Sequence, residues 1–151
     1  MTSQPEPFLK PTPIEGFFNR VFGFLVRIGL AFPHNYVLEV RGRKSGRTYS
    51  TPVNLLNLNG KRFLVAARGY TQWVRNALAA GDVTLKKAWT RRRFEIRALA
   101  NDEKPEVLKA YLDRFKLSVQ RYFPLSAGSE PEAFVPLADR YPVFELLRLD
   151  S

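Results

Sequence analysis

The sequence has no cysteine, one histidine (His34) and one methionine (Met1) in 151 residues. Without cysteine there are no disulfides, thiolate metal sites or cysteine nucleophiles, and a reducing cytoplasm is the natural setting. With so little histidine and methionine, a haem would find few neutral axial ligands. No run of 18 residues is free of charge, because Arg20 and Arg27 interrupt the most apolar region, so no transmembrane helix is expected. Met1–Pro7 has no basic segment followed by an apolar core, and no signal peptide is read there. Carboxylates are scarce in the middle of the chain. Between Arg41 and Arg97 only Asp82 and Glu95 stand against 14 Lys and Arg, so the whole net charge of +10 comes from this third. Such asymmetry points to an anionic partner: a polyanionic small molecule, nucleic acid or an acidic membrane surface.

What is present is a globular composition, 45% hydrophobic with 12 Phe and 6 Tyr. Residues 14–32 place Ile14, Phe17, Phe18, Val21, Phe22, Leu25 and Ile28 at the spacing of an amphipathic helix, stopped by Pro33. This helix either packs on the rest of the domain or lies in a membrane interface. Strands are expected at 36–41, 53–58 and 62–67, with Asn59-Gly60 as the turn between the last two. Thr71 is placed to cap a short helix over 72–80 that Gly81 ends. A hairpin over 83–98 should turn Phe94 and Ile96 inward, and Asp102 is placed to cap a helix whose apolar face is Val107, Leu108, Tyr111, Leu112, Phe115 and Val119. Residues 122–142 read as loop and 143–149 as a final strand. Hairpins with helices between them argue for one α+β domain over 1–151, mainly β: a small antiparallel barrel (36–151) behind an N-terminal arm and helix (1–35), with peripheral helices.

The chemistry concentrates in Gly42-Arg43-Lys44-Ser45-Gly46. Glycines that reach positive φ let successive N–H groups converge on an anion, Arg43 offers a planar fork, Lys44 a compact charge and Ser45 a hydroxyl donor. The spacing is not that of a P-loop. His34 stands at a helix-to-strand junction without triad partners. Basic residues among Phe63, Tyr70, Trp73, Trp89 and Phe94 leave a nucleic-acid-binding barrel as one alternative, and a non-enzymatic lipid or flavin-type ligand carrier as another.

Gly42–Gly46, then Pro52-Val53, then Leu64–Gly69, then Trp73 and Asn76-Ala77-Leu78 resemble, in order and spacing, the deazaflavin-dependent nitroreductase family. The resemblance is good over about residues 36–88. It implies a split β-barrel related to FMN-binding proteins, with coenzyme F420 (FMN as the alternative) passing hydride to a quinone, nitroaromatic or other activated acceptor. It implies that Arg43, Lys44, Ser45, Gly46 and Arg47 hold the coenzyme phosphate, and that Pro52, Val53 and Asn54 lie along its ring. Ala66, Ala67 and Arg68 would line the far side, Arg68 also reaching the anionic tail, while Trp73 and Asn76 close the site. Asn54 and Tyr122 are the candidate catalytic, substrate-facing groups, and no metal is implied. The chain departs from the family pattern at Tyr49, where an arginine is usual, at Asn54, where an aromatic is frequent, and in a shorter loop between Arg68 and Trp73. As partners the reading implies a small-molecule acceptor, a monomer or homodimer, and a cytoplasmic protein with peripheral membrane contact through residues 14–32.

Overall fold

A computed structural model describes residues 34–149. The helix expected over 14–32 lies outside the described residues, as does any membrane contact through it. Seven antiparallel strands run β1 (Asn35–Arg41), β2 (Thr48–Asn54), β3 (Leu56–Leu58), β4 (Lys61–Val65), β5 (Asp82–Lys87), β6 (Thr90–Ala98) and β7 (Val143–Arg148). Helix α1 (Gln72–Ala80) separates β4 from β5, and α2 (Pro105–Val119) lies between β6 and β7.

The strand order is β2-β1-β5-β6-β7-β4-β3. Laid flat at the usual interstrand spacing of about 4.8 Å, that row would hold its two end strands roughly 29 Å apart. Yet β2 and β3 are separated in the chain by Leu55 alone. The sheet must therefore curl until its ends meet, which produces the split barrel.

Local chemistry explains the connections. Asn59 and Gly60 both take positive φ (54° and 78°), as a two-residue turn between right-twisted strands requires. The register across it pairs Leu58 with Lys61 and Leu56 with Phe63. Alternation then sorts side chains to two cores. Leu38, Val40, Leu64, Val83, Leu85, Phe94 and Leu146 pack together, joined by Ala77 of α1. Phe63, Val65 and Val143 point the other way, onto Val107, Leu108, Tyr111, Leu112, Phe115 and Val119 of α2. The predicted apolar face of α2 is thus its buried face.

Four local expectations are corrected. The strand expected at 53–58 is two strands that begin earlier, at Thr48, because the polar run Thr48-Tyr49-Ser50-Thr51 borders a cavity and carries no apolar alternation. Thr71 stands at the start of α1 without a side-chain capping bond. Asp102 does not cap α2: residues Asn101–Glu103 form a separate 3-10 turn, Glu103 accepts the Ala100 N–H at 2.8 Å, and Lys104 precedes the helix. The stretch 122–142 is not plain loop, since Pro131–Arg140 winds as a 3-10 segment that buries Phe134, Leu137 and Ala138. Pro136 inside it lacks the N–H that an α-helical ladder needs.

Candidate functional site

The turn after β1 is built by its own backbone. Gly42 N–H donates to Arg47 O at 2.7 Å and Gly46 N–H to Gly42 O at 3.0 Å, while Arg47 N–H reaches Ser45 Oγ at 3.1 Å. Gly46 has φ of 76°, the left-handed conformation the turn needs. Gly42 is required for a different reason: a Cβ there would lie 2.6 Å from Tyr49 Cε2 and 3.2 Å from Arg47 O. The convergent nest expected from two left-handed glycines is therefore reduced. Four of the turn's N–H groups already bond within the protein, and Lys44 and Ser45 keep theirs.

Arg43 is fixed by α1. Its N–H donates to Asn76 Oδ1 at 3.1 Å, and its Nη1 donates to the same oxygen at 2.7 Å and to Gln72 Oε1 at 3.0 Å. Both acceptors are neutral amides, so the guanidinium is oriented while its charge stays uncompensated. None of the six ion pairs among the described residues uses Arg41, Arg43, Lys44 or Arg47.

The turn forms one end of a cavity of about 1240 Å³. β2 supplies one wall with Tyr49 through Asn54, the end of β4 and its following loop supply Ala66, Ala67 and Arg68, and α1 supplies Trp73 and Asn76. Arg43, Lys44, Ser45, Pro52, Val53 and Tyr122 also border it, so the structure gathers these eleven predicted coenzyme residues and both predicted catalytic ones around one space. Gly46 and Arg47 are in the turn but outside the lining. No Asp or Glu borders the cavity among the described residues, whereas Arg43, Lys44, Arg68 and Arg114 do.

The opposite end includes two residues, Tyr111 and Phe115, that periodicity assigned to packing alone. Tyr111, Arg114, Phe115 and Ser118 of α2 face the cavity together with His34 and Asn35. Asn35 Nδ2 donates to Asn54 Oδ1 at 2.7 Å across the β1–β2 register, and Asn54 Nδ2 makes a long 3.4 Å bond to Tyr111 Oη. Asn35 Oδ1 is buried without a partner. Burial pushes the Tyr111 phenol above its ordinary pKa, against the Asn54 hydrogen bond and with the help of nearby Tyr122, so Tyr111 keeps its proton. His34 packs its ring on Phe115 at 4.7 Å. Burial first, then the charges of Arg114 and Lys87, hold it below its ordinary value, so the neutral imidazole is favoured.

The aromatics that left a nucleic-acid surface open do not form one. Phe63 and Phe94 are buried, Trp73 packs on Phe144 at 5.9 Å, and only Tyr70 and Trp89 are exposed. No helix of the described residues is long and apolar enough to cross a membrane.

The family model described as F420H(2)-dependent quinone reductase matches residues 18–122. No curated protein sequence matches the chain. Among solved structures, one described as an F420-H2 dependent reductase superposes with a TM-score of 0.52 at 19% identity, covering 76% of this chain and 94% of that one. A domain-swapped dimer gives 0.54 at 18% identity, covering 88% and 96%. HutZ, the heme storage protein from Vibrio cholerae, gives 0.53 at 13% identity, covering 78% and 83%. At these identities the likeness is one of fold, the split barrel.

Proposed function

The chain belongs to the F420H(2)-dependent quinone reductase family, and on that footing we propose that it reduces a quinone or another activated acceptor, such as a nitroaromatic, in the cavity between β2 and α2. It is an F420-dependent oxidoreductase. The observation that carries the residue-level reading is Arg43, clamped by two neutral amides with no carboxylate beside it. Such a cation suits a phosphate, since the guanidinium is oriented before the ligand arrives and hydrogen bonds to an anion are among the strong ones. Lys44 and Ser45 complete the phosphate end, with Gly46 and Arg47 supporting the turn. Pro52, Val53, Ala66 and Ala67 give an apolar section suited to a flat ring system, with Arg68 toward the anionic tail and Trp73 and Asn76 on the closing helix.

A reduced deazaflavin held by these residues would supply the hydride, so the protein needs no nucleophile of its own. What the chain contributes lies at the other end. Asn54, Tyr111 and Tyr122 offer neutral donors to the oxygens of an acceptor. Tyr111, kept protonated by burial, can hold a hydrogen bond to an oxygen that gains charge during reduction. The haem- or lipid-carrier reading has no residue-level support of this kind. Organisation of 1–151 as one domain, an N-terminal arm and helix (1–35) before the barrel (36–151), with membrane contact through residues 14–32 and assembly as a homodimer, remains part of the proposal.

The test is a fluorescence titration with F420. Arg43→Ala and Lys44→Ala each remove a charge-assisted contact of about 1.5–3 kcal/mol, so each should weaken the coenzyme roughly 10- to 100-fold. Arg92→Ala, on the distal β5–β6 hairpin, should not. Equal weakening by all three would make the attraction a diffuse field. Preference for FMN over F420 would overturn the coenzyme assignment for this cavity.

A further inference from the structure

Asn35 opens β1 at a position that suits an apolar residue better. It is only 5% exposed, and asparagine is a poor strand former. Its Oδ1 is buried with no hydrogen-bond partner, an arrangement that costs stability and is rare in folded chains. The reason lies on the other side of the same amide. Asn35 faces Asn54 across the β1–β2 register, and its Nδ2 donates to Asn54 Oδ1 at 2.7 Å. With that oxygen engaged, Asn54 turns its Nδ2 toward α2 and donates to Tyr111 Oη at 3.4 Å. Tyr111 therefore receives a hydrogen, while its own O–H donates to none of the described residues.

The hydrogen bonds thus run one way, from Asn35 through Asn54 to Tyr111, and end on an unspent donor of a residue that borders the cavity. The reverse direction is open to the same side chains. Turned over, Asn54 would offer Nδ2 to Asn35 Oδ1 and accept the Tyr111 hydrogen on its own Oδ1, and the phenol would have nothing left to give. That arrangement strands the amide hydrogens of Asn35, and a buried N–H without a partner is rarer than an under-satisfied carbonyl oxygen. The unpaired Oδ1 is the smaller loss, and Asn35 sets the direction. Tyr122, which also borders the cavity, is held alike. Arg121 Nη2 donates to its Oη at 2.8 Å, and its O–H donates to none of the described residues.

We propose that Asn35 is a positioning residue for the reduction: by holding Asn54 in one orientation it keeps the Tyr111 O–H free for an oxygen of the acceptor. This rests on the reading of the cavity between β2 and α2 as the place where the acceptor is reduced. A donor aimed at that oxygen beforehand, and backed by bonds that all point the same way, stabilises the charge the oxygen gains. The acceptor so served carries a carbonyl or nitro oxygen with an open lone pair. Asn35 acts through Asn54, and the direction of the line belongs to the protein whether or not a coenzyme is bound.

Two variants of the full chain test it. Asn35→Asp is nearly isosteric but, when ionised, offers only acceptors, so Asn54 should turn its Nδ2 to the carboxylate and its Oδ1 to Tyr111. Asn35→Leu removes the donor together with the unpaired oxygen and buries no charge, so its thermal midpoint should stay close to the parent's. In coenzyme-free protein, NMR of tyrosine labelled at Cζ reads the direction, because that carbon moves downfield when the phenol donates. The Tyr111 signal, assigned by its loss in Tyr111→Phe, should move downfield in both Asn35 variants and stay in place in Arg92→Gln. With reduced F420 and menadione, both Asn35 variants should lower kcat at least about tenfold with KM held within roughly twofold, as when a donor to a developing oxyanion is lost. Affinity for F420 should stay within about twofold. In a Tyr111→Phe background neither Asn35 variant should cost much more, since all act on one hydrogen bond. An unmoved Tyr111 signal in both folded variants, or parental kcat despite a moved signal, overturns the role of Asn35. Parental menadione turnover by Tyr111→Phe overturns instead the acceptor-end reading on which that role rests.

Discussion

Asn76→Asp separates what α1 does for Arg43 geometrically from what it leaves undone electrically. The change is nearly isosteric, and the new carboxylate would still accept from the Arg43 N–H and Nη1 that now lie 3.1 and 2.7 Å from Oδ1. The clamp would be kept while the charge it presents is cancelled. A carboxylate roughly 7 Å from a phosphate seated on the far side of the guanidinium opposes it by about 2 kcal/mol per unit charge at an effective dielectric of ~20. Exposure of Arg43 to solvent and salt trims this to ~1–2 kcal/mol, so F420 should bind roughly 5- to 30-fold more weakly. Folding stability should stay within about 1 kcal/mol of the parent, because burying the carboxylate and pairing it nearly offset each other. Urea denaturation would measure that stability, and a fluorescence titration at two salt concentrations the binding. Unchanged binding by a normally folded Asn76→Asp protein would refute the claim that the uncompensated charge of Arg43 is what a phosphate reads.

The remaining expectations concern the turn and the histidine. Gly42→Ala should lower the thermal midpoint by several degrees, since an overpacked Cβ costs about 1–3 kcal/mol. Adding Tyr49→Ser should restore only part of it, because the carbonyl of Arg47 stays 3.2 Å away, and an unaltered midpoint in Gly42→Ala would remove the steric argument. His34 has its folded pKa lowered, chiefly by burial, so the unfolded chain takes up a proton at a higher pH than the folded one. The stability it contributes is complete above its ordinary value of 6.5 and is lost as pH falls below it. His34→Gln should flatten the fall in denaturation midpoints as pH drops below 6.5, and an unchanged slope would assign the effect to other groups.

Much of the barrel was legible because its inward face is regular. Leu38, Val40, Leu64, Phe94 and the Asn59-Gly60 turn announce strands and a hairpin by period and turn chemistry. The strand β2 was half hidden, because one side of it borders the cavity and so selects Tyr49, Ser50 and Thr51 rather than alternating apolar residues. The phosphate end of the site was readable as five consecutive residues. Beyond Asn54 and Tyr122 the acceptor end was not, because Asn35 is far in the chain from Tyr111 and Arg114 and meets them only when α2 packs on β3 and β4. Tyr111 and Phe115 obey the helical apolar pattern and simultaneously line the cavity, so periodicity alone reports just the first role. Gln72 likewise gives no local sign that it will hold Arg43.

The place of β7 between β6 and β4 has a consequence for synthesis. While the chain emerges, β1, β2, β5 and β6 can pair among themselves, and β3 can pair with β4, but no strand pairing joins the two groups until Val143–Arg148 is made. At about 5–20 residues per second, roughly 5–15 s pass after β4 appears before that strand arrives. During this interval Leu64 on one piece, and Val83, Leu85 and Phe94 on the other, lack the Leu146 that completes their shared interior. The nascent chain is therefore expected to carry two open sheets with exposed apolar faces until β7 is added.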